Sequence, residues 1–130
     1  MYQRIFLIGR LGRDPESRVT PDGTPVTSFS VATDRRWTDA NGQQQSKTTW
    51  FRVVAFRRLA DTCAQYLSKG QLVMVEGELQ EPKPYVGRDG VWRASLDVTA
   101  QAVKFLSSKG ERQADGEESS GDEGESEIPF

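Results

Sequence analysis

The composition of this chain changes abruptly after Phe105, and the change limits the part that can fold. Apolar and aromatic residues recur through the first 105 positions, whereas residues 107–124 contain no large apolar residue. A segment of that kind cannot bury enough surface to offset the entropy lost on ordering it. We therefore predict one folded domain at residues 1–106, a disordered acidic linker at residues 107–124 and a short tip at residues 125–130, where apolar residues return.

The formal net charge of −2 averages two unlike segments. Residues 1–110 contain 16 Lys and Arg against 11 Asp and Glu, whereas residues 111–130 contain one Arg against eight Asp and Glu. An excess of positive charge on the folded part favours a polyanion as its partner. The acidic segment predicts a separate function for the tail.

Five segments of the predicted domain have the composition of strands, because they alternate or are rich in β-branched and aromatic residues. They are RIFLIGRLG, VTSFSVATDRRW, KTTWFRVVAF, QLVMVEGEL and VWRASLDVTAQAVKF. Between the first two lies DPESRVTPDGTP, a cluster of Asp, Pro and Gly that predicts a loop. Between the last two, the prolines and the closing Asp-Gly of QEPKPYVGRDG predict an extended hairpin arm.

One helix is predicted between the third and fourth strands. The apolar residues of this segment recur at helical spacing, namely Leu59, Cys63, Tyr66 and Leu67. Gly70 follows where a C-terminal cap is expected. Five strands with a helix in this place match the Greek-key barrel called the OB-fold, and a small SH3-like barrel has similar strand content. We predict an all-β OB-fold followed by a disordered acidic tail.

The residues that most often carry catalysis are missing. The chain has no histidine and one cysteine, Cys63, so it lacks an imidazole base and a thiolate metal cage. GRLGRD lacks the glycine pattern of a phosphate-binding loop. Carboxylates could still serve a metal-dependent nuclease, but they lie in a predicted polar loop (Asp14, Glu16) or at an exposed strand end (Glu76, Glu78, Glu81). We predict that the chain is not an enzyme and binds no metal or cofactor.

The single cysteine rules out an internal disulfide and fits a reducing compartment. The apolar run before Gly9 has only four residues, which is too short for a signal sequence or a membrane span. These features predict a cytoplasmic protein.

Aromatic residues interleaved with basic ones are the most informative pattern. Arg35 and Arg36 stand beside Trp37, and strand alternation places Arg52 between Trp50 and Phe56 on one face. Bound single-stranded nucleic acid needs such a mixture, because aromatic rings stack on bases while cations meet phosphates. Alternation leaves open whether Trp50 and Phe56 form a stacking platform or part of the core.

Other aromatic residues are assigned by their neighbours in sequence. Trp92 shares its predicted face with apolar residues (Ala94, Leu96, Val98), which favours packing. Phe6, Phe29 and Phe105 are predicted to lie in the core. Tyr85, beside Lys83 in the arm, is predicted to be exposed.

The segments RIFLIGRLGRDPESRVTPDG, TPVTSFSVATDRRW, TTWFRVVAFRRLADTCAQYLSKG and LVMVEGEL resemble, in order and spacing, the bacterial single-stranded DNA-binding protein family. The resemblance implies an OB-fold homotetramer that wraps single-stranded DNA without sequence preference and without catalysis. It implies stacking by Trp37, Trp50 and Phe56, with Tyr85 as the nearest substitute for a tryptophan that many members carry in the arm. It implies phosphate contacts from Arg4, Arg35, Arg52, Arg58, Lys69 and Lys83, to which the sequence pattern adds Arg36.

The ending EIPF, preceded by acidic residues, also resembles the family's acidic tip. The resemblance implies that the tip docks on replication, recombination and repair proteins, with the residues Glu125, Glu127, Ile128, Pro129 and Phe130 as its contacts. An RNA-binding or replication-restart OB-fold protein is the alternative reading of the domain.

Overall fold

The computed structural model describes residues 1–107, so the tip and all but the first residue of the predicted linker lie outside the described residues. Eight strands and one helix follow each other along this part of the chain. They are β1 (Ile5–Leu11), β2 (Glu16–Val19), β3 (Pro25–Thr38), β4 (Gln44–Phe56), α1 (Arg57–Tyr66), β5 (Leu72–Leu79), β6 (Lys83–Val86), β7 (Trp92–Ser95) and β8 (Asp97–Phe105).

Five of these strands close into a barrel. Their order is β1-β5-β8-β4-β3, and β1 pairs antiparallel with both β5 and β3, which joins the two ends of the sheet. The pairing of β4 with β8 is parallel. The prediction of an OB-fold with one short helix between its third and fourth barrel strands is confirmed.

Two features of the sheet differ from the prediction. The segment predicted as a loop contains β2, which pairs with β3 at Glu16 opposite Ser28 through Val19 opposite Pro25. All four β2 side chains are exposed, so their sequence does not alternate between apolar and polar residues in the way that would predict a strand. The segment predicted as the last strand is divided at Leu96, because β7 pairs with β6 in the arm while β8 joins the barrel.

Alternating side chains of the strands fill the barrel. The buried apolar residues of the core on β1, β3, β4, β5 and β8 are Leu7, Leu11, Phe29, Val31, Val53, Ala55, Val73, Val75, Val98 and Ala100. Phe29 lies in the core as predicted. The prediction was wrong for Phe6, which is 62% exposed because it alternates with buried Leu7. Phe105 is also exposed, and its ring centroid lies 6.1 Å from that of Tyr66.

Helix α1 packs a narrow apolar face on the barrel. Ala60 and Cys63 are fully buried, and buried Thr27 donates a hydrogen bond from Oγ1 to the carbonyl oxygen of Ala60 at 2.8 Å. Burial raises the pKa of the Cys63 thiol to about 11, so the thiol is protonated and unreactive at neutral pH. The helix ends at Tyr66, and Gly70, with a φ of 84°, belongs to the turn beyond its cap.

Closure of the barrel depends on a close approach between β1 and β3. A Cβ atom on Gly9 would lie 2.1 Å from the carbonyl oxygen of Ala32 and 2.9 Å from its carbonyl carbon. Both are backbone atoms, so a side chain at position 9 requires the strands to separate.

We predict that Gly9→Ala lowers the free energy of unfolding by about 3 kcal/mol, the upper end of the usual cost of overpacking, because the added methyl group meets backbone atoms. Equilibrium urea denaturation followed by far-UV circular dichroism measures this loss. Gly12→Ala is the matched control, since a Cβ there meets only the side chain of Trp50, which can move. Equal denaturation midpoints for the two variants would contradict the prediction.

Candidate nucleic-acid interface

A ribbon formed by β3 and β4 carries three of the predicted aromatic residues. Its antiparallel register is unbroken from Val26 opposite Phe56 to Thr38 opposite Gln44. Trp50 is 53% exposed and Phe56 is 39% exposed, whereas Val53 between them is fully buried. Trp50 and Phe56 are therefore surface residues and not part of the core.

Trp50 rests on the backbone of Gly12. A Cβ atom on Gly12 would lie 2.5 Å from Cζ3 and 2.7 Å from Cη2 of the indole, so the ring occupies the space where a side chain would be. The N–H of Gly12 donates to the carbonyl oxygen of Ser30 at 3.1 Å, which fixes this seat against β3. Sequence reasoning missed the role of Gly12, because it tested GRLGRD only as a phosphate loop.

Arg52 lies on the same face of β4 as Trp50 and Phe56. It is exposed, its register partner on β3 is Ser30, and it lines a small cleft of about 80 Å³ with Arg13 and Asp14. Stacking surface and positive charge thus share one outward face of the barrel, while the opposite side of β4 faces the core.

Trp37 lies on the other face of the ribbon. Residues at odd and even positions of an unbroken strand point to opposite sides, so Trp37 shares its side with Arg35 and Lys47 rather than with Trp50. The guanidinium carbon of Arg35 lies 5.0 Å from the centroid of the Trp37 ring, which is within cation–π range. Arg36 points to the side opposite Trp37.

The turn at the end of the ribbon is held by Asp39. Its Oδ1 accepts hydrogen bonds from the backbone N–H groups of Gln43 and Asn41, both at 2.9 Å. The Gln43 bond is the main reason that the pKa of Asp39 is lowered. The turn therefore keeps an ionised carboxylate over the whole physiological pH range.

The arm formed by β6 and β7 has two different faces. Lys83, Tyr85 and Arg93 lie on one face. The apolar residues Pro84, Val86, Trp92 and Ala94 lie on the other face, and all four are exposed. Tyr85 is exposed as predicted. The prediction that Trp92 packs in the barrel was wrong: it is 70% exposed, because the division at Leu96 places it on the arm.

Arg93 forms a salt bridge within the arm. It forms two hydrogen bonds with the Asp89 carboxylate, at 3.0 and 2.8 Å. This pairing lowers the pKa of Asp89 and raises the pKa of Arg93. Lys83 on the same face of the arm has no acidic partner within residues 1–107.

The other predicted phosphate contacts are spread over the barrel surface. Arg4 already has partners within the domain: its Nε lies 3.7 Å from Oε2 of Glu76, and its guanidinium lies over the ring of Tyr2. Arg58 is exposed at the start of α1. The backbone N–H of Lys69 donates to Asp14 at 2.8 Å, and its side chain is exposed. The structure therefore brings Arg52 next to the aromatic residues of β4 and leaves Arg4, Arg58 and Lys69 on other elements.

Within residues 1–107, no group of three or more Cys, Asp and Glu side chains could hold a metal ion. The single helix of this part of the chain is too short to span a membrane.

The chain is similar to known proteins over most of its length. The model of the single-strand binding protein family matches residues 2–106. A single-stranded DNA-binding protein of Neisseria meningitidis is 46% identical over 108 residues, which are 83% of this chain and 62% of that relative. The corresponding protein of Thermotoga maritima is 44% identical over 83% of this chain and 76% of its own length.

A solved structure shares the fold. The Plasmodium falciparum SSB in complex with ssDNA superposes with a TM-score of 0.70 at 29% identity, covering 82% of this chain and 97% of that one. The family match spans the whole barrel, the β3–β4 ribbon and the arm. The chain therefore belongs to the single-strand binding protein family.

Proposed function

We propose that this protein binds single-stranded DNA without strong sequence preference and protects it during replication, recombination and repair. The observation that carries the proposal is the outward face of β4, along which Trp50, Arg52 and Phe56 are all exposed. On this proposal the protein acts in the cytoplasm, on DNA of the nucleoid, and has no catalytic activity.

The chemistry of this face fits a flexible polyanion. An unpaired base can stack on an exposed indole or phenyl ring whatever its identity, because every base has a π-face. Arg52, between the two rings, can meet a phosphate of the strand, and Trp37 with Arg35 offers a second pair of the same kind. A duplex hides its base faces, so this arrangement favours single strands.

We propose that four copies of the chain assemble. The outer face of β1 exposes Phe6 and Ile8, and Ile8 is opposite Met74 of β5 in the register. Exposed apolar side chains on adjacent strands favour contact with another protein surface. A second copy fits best, since assembly as a homotetramer is the behaviour that the family resemblance implies.

We propose the domain division made from the sequence, with the barrel ending near residue 106. Buried Gln71 supports it, because its Nε2 donates to the carbonyl oxygen of Ser107 at 2.9 Å. The Oγ of Ser107 also accepts a hydrogen bond from the backbone N–H of Leu72 at 2.9 Å. These bonds attach the end of the described chain to β5.

We propose that the tip at residues 125–130 recruits partner proteins. Ile128 and Phe130 provide apolar anchors of the kind that fill pockets, and Glu125 and Glu127 suit a basic rim around such a pocket.

For the DNA site, we predict that replacing Trp50, Phe56 or Trp37 by Ala weakens binding to oligo-dT by about 1–3 kcal/mol each, or roughly 5- to 150-fold in Kd. The loss should be similar at low and high salt, since stacking releases no counterions. Tryptophan fluorescence titration, or anisotropy of a labelled oligonucleotide for the tryptophan variants, measures it. Tyr66→Ala removes an exposed aromatic residue of α1 and should bind normally. Unchanged affinity in all three site variants would refute the assignment.

For assembly, we predict that Phe6→Asp reduces the mass in solution below that of four chains, because it places a charge in the proposed contact. Analytical ultracentrifugation measures the mass. Val19→Asp, on the exposed β2 strand, is the control and should leave the mass unchanged. A Phe6→Asp protein that keeps the wild-type mass would exclude this face from the interface.

For the tip, we predict that an immobilised peptide of residues 121–130 retains enzymes of DNA replication, recombination or repair from a bacterial extract. The same peptide with Phe130→Ala should lose them, because the apolar anchor is missing. Mass spectrometry of the bound proteins compares the two peptides. Identical sets of proteins on both would contradict the proposal.

A further inference from the structure

A cleft of about 530 Å³ opens beside Phe56. One wall is the turn that joins β2 to β3, and the other is the junction between β4 and α1. The cleft is lined by Thr20, Pro21, Asp22, Thr24, Phe56 and Arg57. It combines one aromatic ring with one carboxylate and one guanidinium. Stacking of a base requires only the ring, so the two charged groups can serve a further interaction.

The turn on one side of the cleft is fixed by hydrogen bonds. The backbone N–H of Thr20 donates to the carbonyl oxygen of Thr24 at 2.9 Å, and that of Gly23 donates back to Thr20 at 2.9 Å. The Oδ1 of Asp22 accepts from the Thr20 hydroxyl and from the N–H of Thr24. These bonds, led by the Thr20 hydroxyl, lower the pKa of Asp22, so the carboxylate is ionised near neutral pH.

Asp22 keeps capacity to accept further hydrogen bonds. A carboxylate offers about four acceptor positions on its two oxygens, and the turn uses the Oδ1 side. Asp22 is exposed and its side chain lines the cleft. A group that enters the cleft can therefore donate to it.

The opposite wall has a strained backbone. Arg57 has a φ of 60°, in the left-handed region that residues with a side chain adopt only at some cost. This conformation turns the chain sharply after Phe56, and both residues line the cleft. A phosphate is attracted to the Arg57 side and repelled from Asp22, so a bound nucleotide has one favourable orientation, with its base edge towards Asp22.

We propose that this cleft holds one base of the bound strand, stacked on Phe56, and that Asp22 gives it a preference for cytosine over thymine. Cytosine presents an amino group that donates to a carboxylate. Thymine presents two carbonyl oxygens on either side of its single N–H, and these repel the carboxylate. The preference rests on the proposed function and is a small addition to otherwise sequence-independent binding.

The test is the ratio of the Kd values for length-matched dC and dT oligonucleotides of about 16 nucleotides, the upper end for one OB domain. Measurement at pH 8 keeps cytosine unprotonated. Asp22→Asn keeps an oxygen for the Thr20 and Thr24 bonds but replaces the remaining acceptor by an amide donor. We expect this variant to lose about three- to tenfold of the preference for dC, which is the net contribution of one ordinary hydrogen bond at an exposed site.

Asp39→Asn is the matched control. Asp39 is also a carboxylate that holds a turn through two backbone N–H groups, and it lies at the far end of the ribbon. Its replacement removes the same charge and should change the two Kd values equally. In a Phe56→Ala background, Asp22→Asn should no longer alter the ratio, because the base is no longer held beside it.

The outcomes separate this inference from the proposed function. Tight binding of both oligonucleotides with a ratio that Asp22→Asn leaves unchanged overturns the base preference and leaves the proposed function standing. A change in ratio that persists in the Phe56→Ala background overturns the cleft as its location. Failure of the wild-type protein to bind either oligonucleotide overturns both.

Discussion

The pairing of β1 with two strands at once is the constraint on which the rest of the structure depends. Along one edge β1 pairs with β5, and at its end it pairs with β3 through Arg10 and Leu11. The second pairing is possible only because Gly9 has no side chain to strike the backbone of Ala32. Once the barrel is closed, apolar residues fill its inward positions, and β3 and β4 extend beyond it as a ribbon.

The candidate interface consists of exposed aromatic residues whose strand neighbours are buried. On β4, Val53 and Ala55 fix the strand to the core, so the backbone under Trp50 and Phe56 is held in place. The seat on Gly12 restricts the Trp50 ring further. A ring that is already positioned loses less entropy when a base stacks on it, which is a general advantage of preorganised sites. Strand β4 therefore both stabilises the barrel and holds the exposed aromatic residues in place.

Local periodicity was enough to predict the helix and the approximate positions of the five barrel strands, because each leaves a repeating pattern of apolar residues. Features set by pairing partners were not predictable in this way. Phe6 belongs to an apolar run in which both parities look suitable for a core, and β2 has no buried residue at all. Trp92 was misplaced because nothing in VWRASLDV marks the change of partner at Leu96. The cleft at Asp22 is formed by segments more than thirty positions apart in the chain, which no local pattern relates.

The unbroken register of the ribbon has a consequence for the shape of a bound strand. Trp50 is opposite Ala32, and Trp37 lies five residues further along β3, or about 17 Å away at strand spacing. Because the two rings face opposite sides, a polynucleotide that touches both must pass around an edge of the ribbon. Its end-to-end distance is then shorter than its contour length, because the path curves on the ribbon of a single chain.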